Sequence, residues 1–175
     1  EMQVAEHHIQ GESDETIVLA AHLDHTGMAN DDLAGVSVGI ELMKQLQNRK
    51  QLRYSYKFLI VQEMTGSAAY LSSHKSESEN FKYGIFLEMP GNDIRLLLQR
   101  SFTGNTRLDR IAAHRLHKNF DSGEVASFRE VVGNDEIIFE GPGYEVPTVS
   151  ISRAPYEEYH THLDNPDIIS ENRLE

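Results

Sequence analysis

Two histidines and three aspartates crowd into the fifteen residues AHLDHTGMANDDLAG, positions 21–35. A second histidine pair, His160 and His162, stands in YHTHLD, and two glutamates, Glu63 and Glu88, each close an apolar run, KFLIVQE and YGIFLE. Neutral imidazole and carboxylate oxygen are the donor set of zinc-type hydrolysis, which also needs a carboxylate outside the ligand set to act as general base. Two metals held close together need, in addition, a carboxylate that can bridge them. The chain has no cysteine, so any metal must be held by histidine and carboxylate, and disulfides are excluded.

The surrounding pattern places these residues. TIVLAA, just before His22, is a continuous apolar run of the kind found in strands buried on both faces. From Asp31 and Asp32 to about Asn48 a helical pattern is predicted, with Leu33, Val36, Ile40 and Met43 on one face. RYSYKFLIVQE and KYGIFLEMPG read as the next strands, GSAAYLSSH between them as a helix, and DIRLLLQRSF as a fourth strand. Thr106 to Lys118 puts Leu108, Ile111, Ala112 and Leu116 on one helical face, and NDEIIFEGPGYEVPTVSIS gives a loop and a last strand. Strands alternating with helices predict a three-layer α/β/α sandwich with a central mixed, largely parallel sheet. His22, Asp24, Glu63 and Glu88 then fall at or just beyond the carboxyl ends of parallel strands, where α/β folds bind ligands.

Composition narrows the function. At 175 residues the chain is long enough for one domain with a proper core. A formal net charge of −12 argues against nucleic acid and anionic membrane, both of which demand a basic face. Neither a membrane-length apolar stretch nor a signal-peptide pattern is evident, so the expected location is cytoplasmic. The chain starts at Glu1 without an initiator methionine and reads as a piece of something longer, residues 1–175 forming one catalytic domain incomplete at its N-terminus.

Taken in order, AHLDH, ANDDLAGVSVGIELMKQL, IVQEMTGSAAYLS, IFLEMPG, NDEIIFEGPGYEVPTVSIS and YHTHLDNPDIIS resemble the M28 family of zinc metallo-aminopeptidases, in particular its bacterial aminopeptidase-like branch (DUF4910-like). The resemblance implies a zinc exopeptidase-like fold, one or two Zn²⁺ ions, and aminopeptidase-type hydrolysis of a peptide. It casts His22 as a metal ligand oriented by Asp24, and Asp31 as the bridging carboxylate. Glu63 becomes the general base that activates water, and Glu88 and His160 become terminal ligands. Where the family has a second glutamate after the base, this chain has Met64, whose thioether does not replace a carboxylate on zinc. His25 or His162 is the alternative ligand that could complete the second site, and His25 also competes with His22, the preferred primary ligand. Asn134 and Asp135 are expected near the substrate pocket, with Tyr156 and Tyr159 lining it or donating to an oxyanion. The expected partner is a peptide or small amide, with self-association left open.

Simpler readings exist for each residue alone. Asp31 or Asp32 could merely cap the following helix, Asp24 and His25 could form a turn, and Glu63 and Glu88 could be solvated. His114 and His117 read as a solvated helix face, and His7 and His8 need no role. Two other functions also stay open: hydrolysis of a non-peptide amide, and a catalytically degenerate module that binds metal or peptide without turnover, which Met64 favours and Glu63 opposes.

Overall fold

The computed structural model describes residues 2–120 and 122–174. In chain order its elements are β1 (Ala5–Ile9), β2 (Ser13–His22), α1 (Gly35–Gln47), β3 (Tyr54–Val61), α2 (Thr65–Ser73), α3 (Lys75–Ser78), β4 (Phe81–Glu88), β5 (Leu97–Gln99), α4 (Arg107–Asn119), β6 (Glu124–Ala126), α5 (Glu136–Phe139), β7 (Thr148–Ser152) and α6 (Glu171–Leu174). The strands form one mixed seven-stranded sheet in the order β1-β3-β2-β4-β7-β5-β6. Its centre is parallel, β2 lying between β3 and β4 with β7 beyond β4, while β1 and β5 run antiparallel to their neighbours β3 and β7. Among the described residues no helix is long and apolar enough to cross a membrane.

The unbroken apolar run of β2 reflects burial on both faces. Val18 and Ala20 pack with Leu59, Val61, Leu71, Phe86 and Phe139 on the side of α2 and α5. Leu19 and Ala21 pack with Val36, Met43, Phe58 and Leu87 on the side of α1. A third cluster, Leu98, Ala113, Leu116 and Val149, seats α4 against β5 and β7. Each fully buried Leu, Phe or Val contributes roughly 1.5–3 kcal/mol.

Both helical faces differ from the periodic reading. Leu33 and Ile40 are exposed, and the buried side of α1 is Gly35, Val36, Gly39 and Met43. The reason is close approach: a Cβ at Gly39 would sit 2.2 Å from the Phe58 ring, so the helix packs by its smallest residue and turns its bulkier ones outward. In α4, Ile111 is exposed and Ala113 takes the buried place. The edge strands β1 and β6 were not anticipated, since AEHHI and EVA carry no apolar alternation.

Loop ends are pinned by buried carboxylates. Asp109 closes a capping box with Thr106 at the start of α4 and also accepts hydrogen bonds from the Ser101 amide at 2.8 Å and the Ser101 hydroxyl at 2.7 Å. Burial pushes this carboxyl up, but the bonds from Thr106 and Ser101 outweigh it and hold it below its ordinary value of 3.8. A depressed folded value means stabilisation that is complete above the ordinary aspartate range and lost as pH falls through the folded value. Asp109→Asn should therefore cost about 1–3 kcal/mol at neutral pH. In urea unfolding followed by circular dichroism, the gap between parent and variant should close as the pH is lowered below about 4.

Candidate metal centre at the carboxyl edge of the sheet

Parallel pairing brings three strand ends to one edge. His22 closes β2 opposite Val61, the last residue of β3, and Glu63 follows two residues later. Glu88 closes β4, whose Phe86 pairs with Ala20 of β2. The fourth contribution comes from the segment Ala29–Ala34 ahead of α1, where Asp31 and Asp32 leave helical backbone geometry. This break lets two consecutive aspartates face different ways.

Asp31 faces imidazoles. Its Oδ1 lies 3.0 Å from His22 Nε2, and its Oδ2 lies 3.0 Å from His25 Nδ1 and 3.2 Å from His160 Nε2. Asp32 instead accepts backbone bonds from His22, Gly35 and Met89, so the helix-start role belongs to Asp32 and not to Asp31. Asp24 Oδ1 lies 3.1 Å from His22 Nδ1, and Glu63 Oε2 lies 3.0 Å from His25 Nε2. His25, Asp31 and His160 form one group whose candidate ligand atoms all lie within 4.8 Å of one another, and His22, Asp24 and His25 form another. His162 is exposed and belongs to neither group.

Burial separates the donors. His22, Asp31 and Glu88 are buried, whereas the side chains of His25, Glu63 and His160 are exposed to 20%, 28% and 49%. Glu88 receives the Asn134 side-chain amide on Oε1 at 2.7 Å, while its buried Oε2 has no hydrogen-bond partner. His22 Nε2 is likewise buried without a hydrogen bond, its approach to Asp31 lacking the alignment of one. Orphaned polar atoms of this kind are rare and call for a reason.

Electrostatics show the same tension. Burial alone would push the His22 imidazole down, yet the carboxylates of Asp31, Asp32 and Glu88 raise it to about 10. Burial lifts Glu88 and Asp32 well above the ordinary carboxylate range. Burial also pushes Asp31 upward, but His22 and His25 overcome this and keep it low. Carboxylates pushed toward their protonated form beside a histidine pushed toward its charged form are what a cation-binding site shows when protons stand in for the cation.

The other anticipated residues have distinct places. Asn134 and Asp135 are buried and bond inward, Asn134 to Glu88 and Asp135 to the Met64 amide at 3.0 and 3.1 Å. Beside Glu88 a cavity of about 330 Å³ is lined instead by Met89, Val131, Val132, Gly133, Ala154, Pro155, Tyr156 and Tyr159. Tyr159 stacks on the His160 ring with centroids 3.8 Å apart, and the Tyr156 hydroxyl is donated to Asp164 at 2.6 Å. Asp164 was not singled out from the sequence; its only signal there was its place four residues after His160 in YHTHLD.

The profile described as "Domain of unknown function (DUF4910)" matches residues 1–175. The chain belongs to the DUF4910 family. A Clostridium acetobutylicum protein, provisionally named a polysaccharide biosynthesis protein with aminopeptidase-like domain, is 33% identical over 162 residues, 91% of this chain and 37% of that protein. A solved structure from the same organism, provisionally described as a peptidase, superposes with a TM-score of 0.91 at 31% identity, covering 98% of this DUF4910 chain and 40% of the other. The chain thus spans well under half the length of these relatives. The zinc aminopeptidase of Bacillus subtilis has the same fold, with a TM-score of 0.80 at 19% identity over 98% of this chain and 46% of its own. So does a Porphyromonas gingivalis glutaminyl cyclase, with a TM-score of 0.80 at 17% identity over 99% of this chain and 73% of its own. The DUF4910 sheet therefore has the α/β fold that these aminopeptidase and cyclase structures share.

Proposed function

We propose that this DUF4910 chain forms the catalytic centre of a zinc-dependent aminopeptidase-type hydrolase of the M28 kind, which removes N-terminal residues from peptides. One observation carries the reading: the two oxygens of Asp31 face separate imidazoles while the buried His22 Nε2 and Glu88 Oε2 lack hydrogen bonds. The donor set suits zinc, with His22, Asp31 and Glu88 holding one ion and Asp31, His25 and His160 a second. His25 would supply what Met64 cannot. Cations held there would supply the charge that polarises a carbonyl and acidifies water.

The chain's own side chains divide the remaining work. Asp24 holds His22 through Nδ1 and leaves Nε2 for the cation, the usual arrangement behind a ligating imidazole. Glu63, held through Oε2 by His25, takes the proton of the attacking water and returns it to the leaving amine. The Tyr159 phenol, pushed up to about 12 by burial and by Asp31, Glu88 and Glu63, stays protonated and can donate to the developing oxyanion. The surrounding carboxylates suit a substrate α-ammonium, and the Met89, Val131, Val132, Ala154 and Pro155 side of the cavity beside Glu88 suits an apolar first side chain. Two other readings, a non-peptide amide hydrolase and a binding module without turnover, are separated from this one by the same experiments.

Metal analysis of the chain purified without chelator should find two zinc ions, both lost in Asp31→Ala and one lost in His160→Ala. A single ion indifferent to His160→Ala would leave a mononuclear site at His22, Asp31 and Glu88, and no zinc even after add-back would favour the binding module. Glu63→Gln should keep its metal and lose about 10²–10⁴-fold in kcat. Full activity in that variant would remove Glu63 as the base.

With aminoacyl amides as substrates, leucine and phenylalanine should exceed aspartate and lysine in kcat/KM by about tenfold or more. Turnover of acylated amines but not of aminoacyl amides would instead assign the non-peptide amide reaction.

A further inference from the structure

We infer that Asp164 is a positioning residue that sets the shape of the metal centre by clamping the Asp31 segment to the His160 segment. The inference rests on the metal-centre reading above.

Asp164 is fully buried, and among the described residues its hydrogen-bond partners are backbone groups and the Tyr156 hydroxyl. Its carboxylate accepts three successive backbone amides, Ala29 at 3.1 Å and Asn30 at 2.6 Å on Oδ1 and Asp31 at 3.2 Å on Oδ2, together with the Tyr156 hydroxyl at 2.6 Å on Oδ2. Its own carbonyl accepts the Ala29 amide as well, at 3.2 Å, and its amide donates to Thr161 at 3.1 Å. Four donors to one carboxylate offset the cost of burying it, and charge-assisted bonds are about twice as strong as neutral ones. The amides of Ala29, Asn30 and Asp31 are the first three of the Ala29–Ala34 segment and therefore have no partner within it.

The geometry this clamp controls is the 3.2 Å approach of His160 Nε2 to Asp31 Oδ2. Asp31 and His160 are 129 residues apart in sequence and lie outside the sheet, whereas His22 and Glu88 sit on paired strands that hold themselves. His160 has φ of 55°, a left-handed conformation that a non-glycine residue keeps only when its surroundings hold it. Asp164, four residues on, ties this turn to the Ala29–Ala34 segment. Tyr156, whose ring lines the cavity beside Glu88, anchors the same carboxylate from the other side.

The test is zinc affinity of the metal-stripped full chain, measured by competition with a chromophoric chelator, with the Co²⁺ absorption spectrum as a readout of ligand geometry. Asp164→Asn should weaken zinc about 10–100-fold and alter the Co²⁺ spectrum. Tyr156→Phe, which keeps the carboxylate and removes one donor, should weaken zinc about threefold, the worth of one modest hydrogen bond. Asp109→Asn, a destabilising change in a remote cap, should leave affinity and spectrum at parent values. Parent-like affinity in Asp164→Asn overturns the clamp, and so does an equal loss in Asp109→Asn, which would reduce the effect to general instability. If Asp164→Asn fails to fold, Tyr156→Phe decides, and an unchanged affinity there overturns the inference. A parent chain that takes up no zinc at all overturns the metal reading itself, which is a different result from a zinc-binding parent with an indifferent Asp164→Asn.

Discussion

Asp31 is one carboxylate facing three imidazoles, and most of the local structure can be understood as what that requires. His22 reaches it from the end of a strand buried on both faces, while His25 and His160 reach it from loops. For a side chain between β2 and α1 to turn back toward the end of β2, the backbone has to postpone the helix, and it does so at Asp31 and Asp32. The two adjacent aspartates then serve opposite partners. Asp31 meets side chains, and Asp32 collects the amides of His22, Gly35 and Met89 that this detour and the neighbouring strand ends leave open.

Placing so many carboxylates at one sheet edge is costly, because an ionised group out of water needs partners or a proton. Three remedies are visible. Asp32 and Asp164 are each satisfied by three backbone amides, Asp31 is matched by imidazoles, and Glu88 receives one side-chain amide while burial drives its carboxyl toward the protonated form. Among the titratable side chains of this edge, His22 through Nε2 and Glu88 through Oε2 keep a buried atom without a hydrogen bond. A divalent cation held at this edge would supply the positive charge that the buried carboxylates otherwise draw from His22.

The parallel core was legible because burial on both faces leaves an unmistakable apolar run, and the ends of TIVLAAH, KFLIVQE and YGIFLE fall on one edge once the strands are parallel. What failed was reading faces from bulk alone. Gly39 is silent on a hydrophobicity scale, yet its missing side chain lets α1 sit on Phe58, and the large residues Leu33 and Ile40 then point outward. At the site, residue chemistry marked the histidines and aspartates of 21–35 as candidates, while the resemblance to the M28 family gave His22, Asp31 and His160 their roles and placed Asn134 and Asp135 near the pocket; neither source carries the inward bonding of those two residues. Asp164 escaped notice for a similar reason. A carboxylate that accepts backbone amides and one tyrosine hydroxyl carries no residue-type signature, and its place four residues after His160 does not by itself say what it holds.

The backbone carries a regularity that bears on how position 64 can be methionine. Glu63 and Glu88 are each followed by a methionine in the left-handed region, Met64 with φ of 54° and Met89 with φ of 50°. Such conformations cost about 1–3 kcal/mol each, and they turn the chain sharply away just after the glutamate. In both cases a buried aspartate from another segment accepts the amide of the strained residue, Asp135 for Met64 and Asp32 for Met89. Asp164 does the same for the Ala29–Asp31 amides. The buried aspartates around this edge thus divide into those that grip backbone to hold turns in place, Asp32, Asp135 and Asp164, and Asp31, which faces the imidazoles. At position 64 the fold's demand falls on the main chain, whose amide Asp135 holds, and it leaves the choice of side chain open, while His25 lies 3.0 Å from both Asp31 and Glu63.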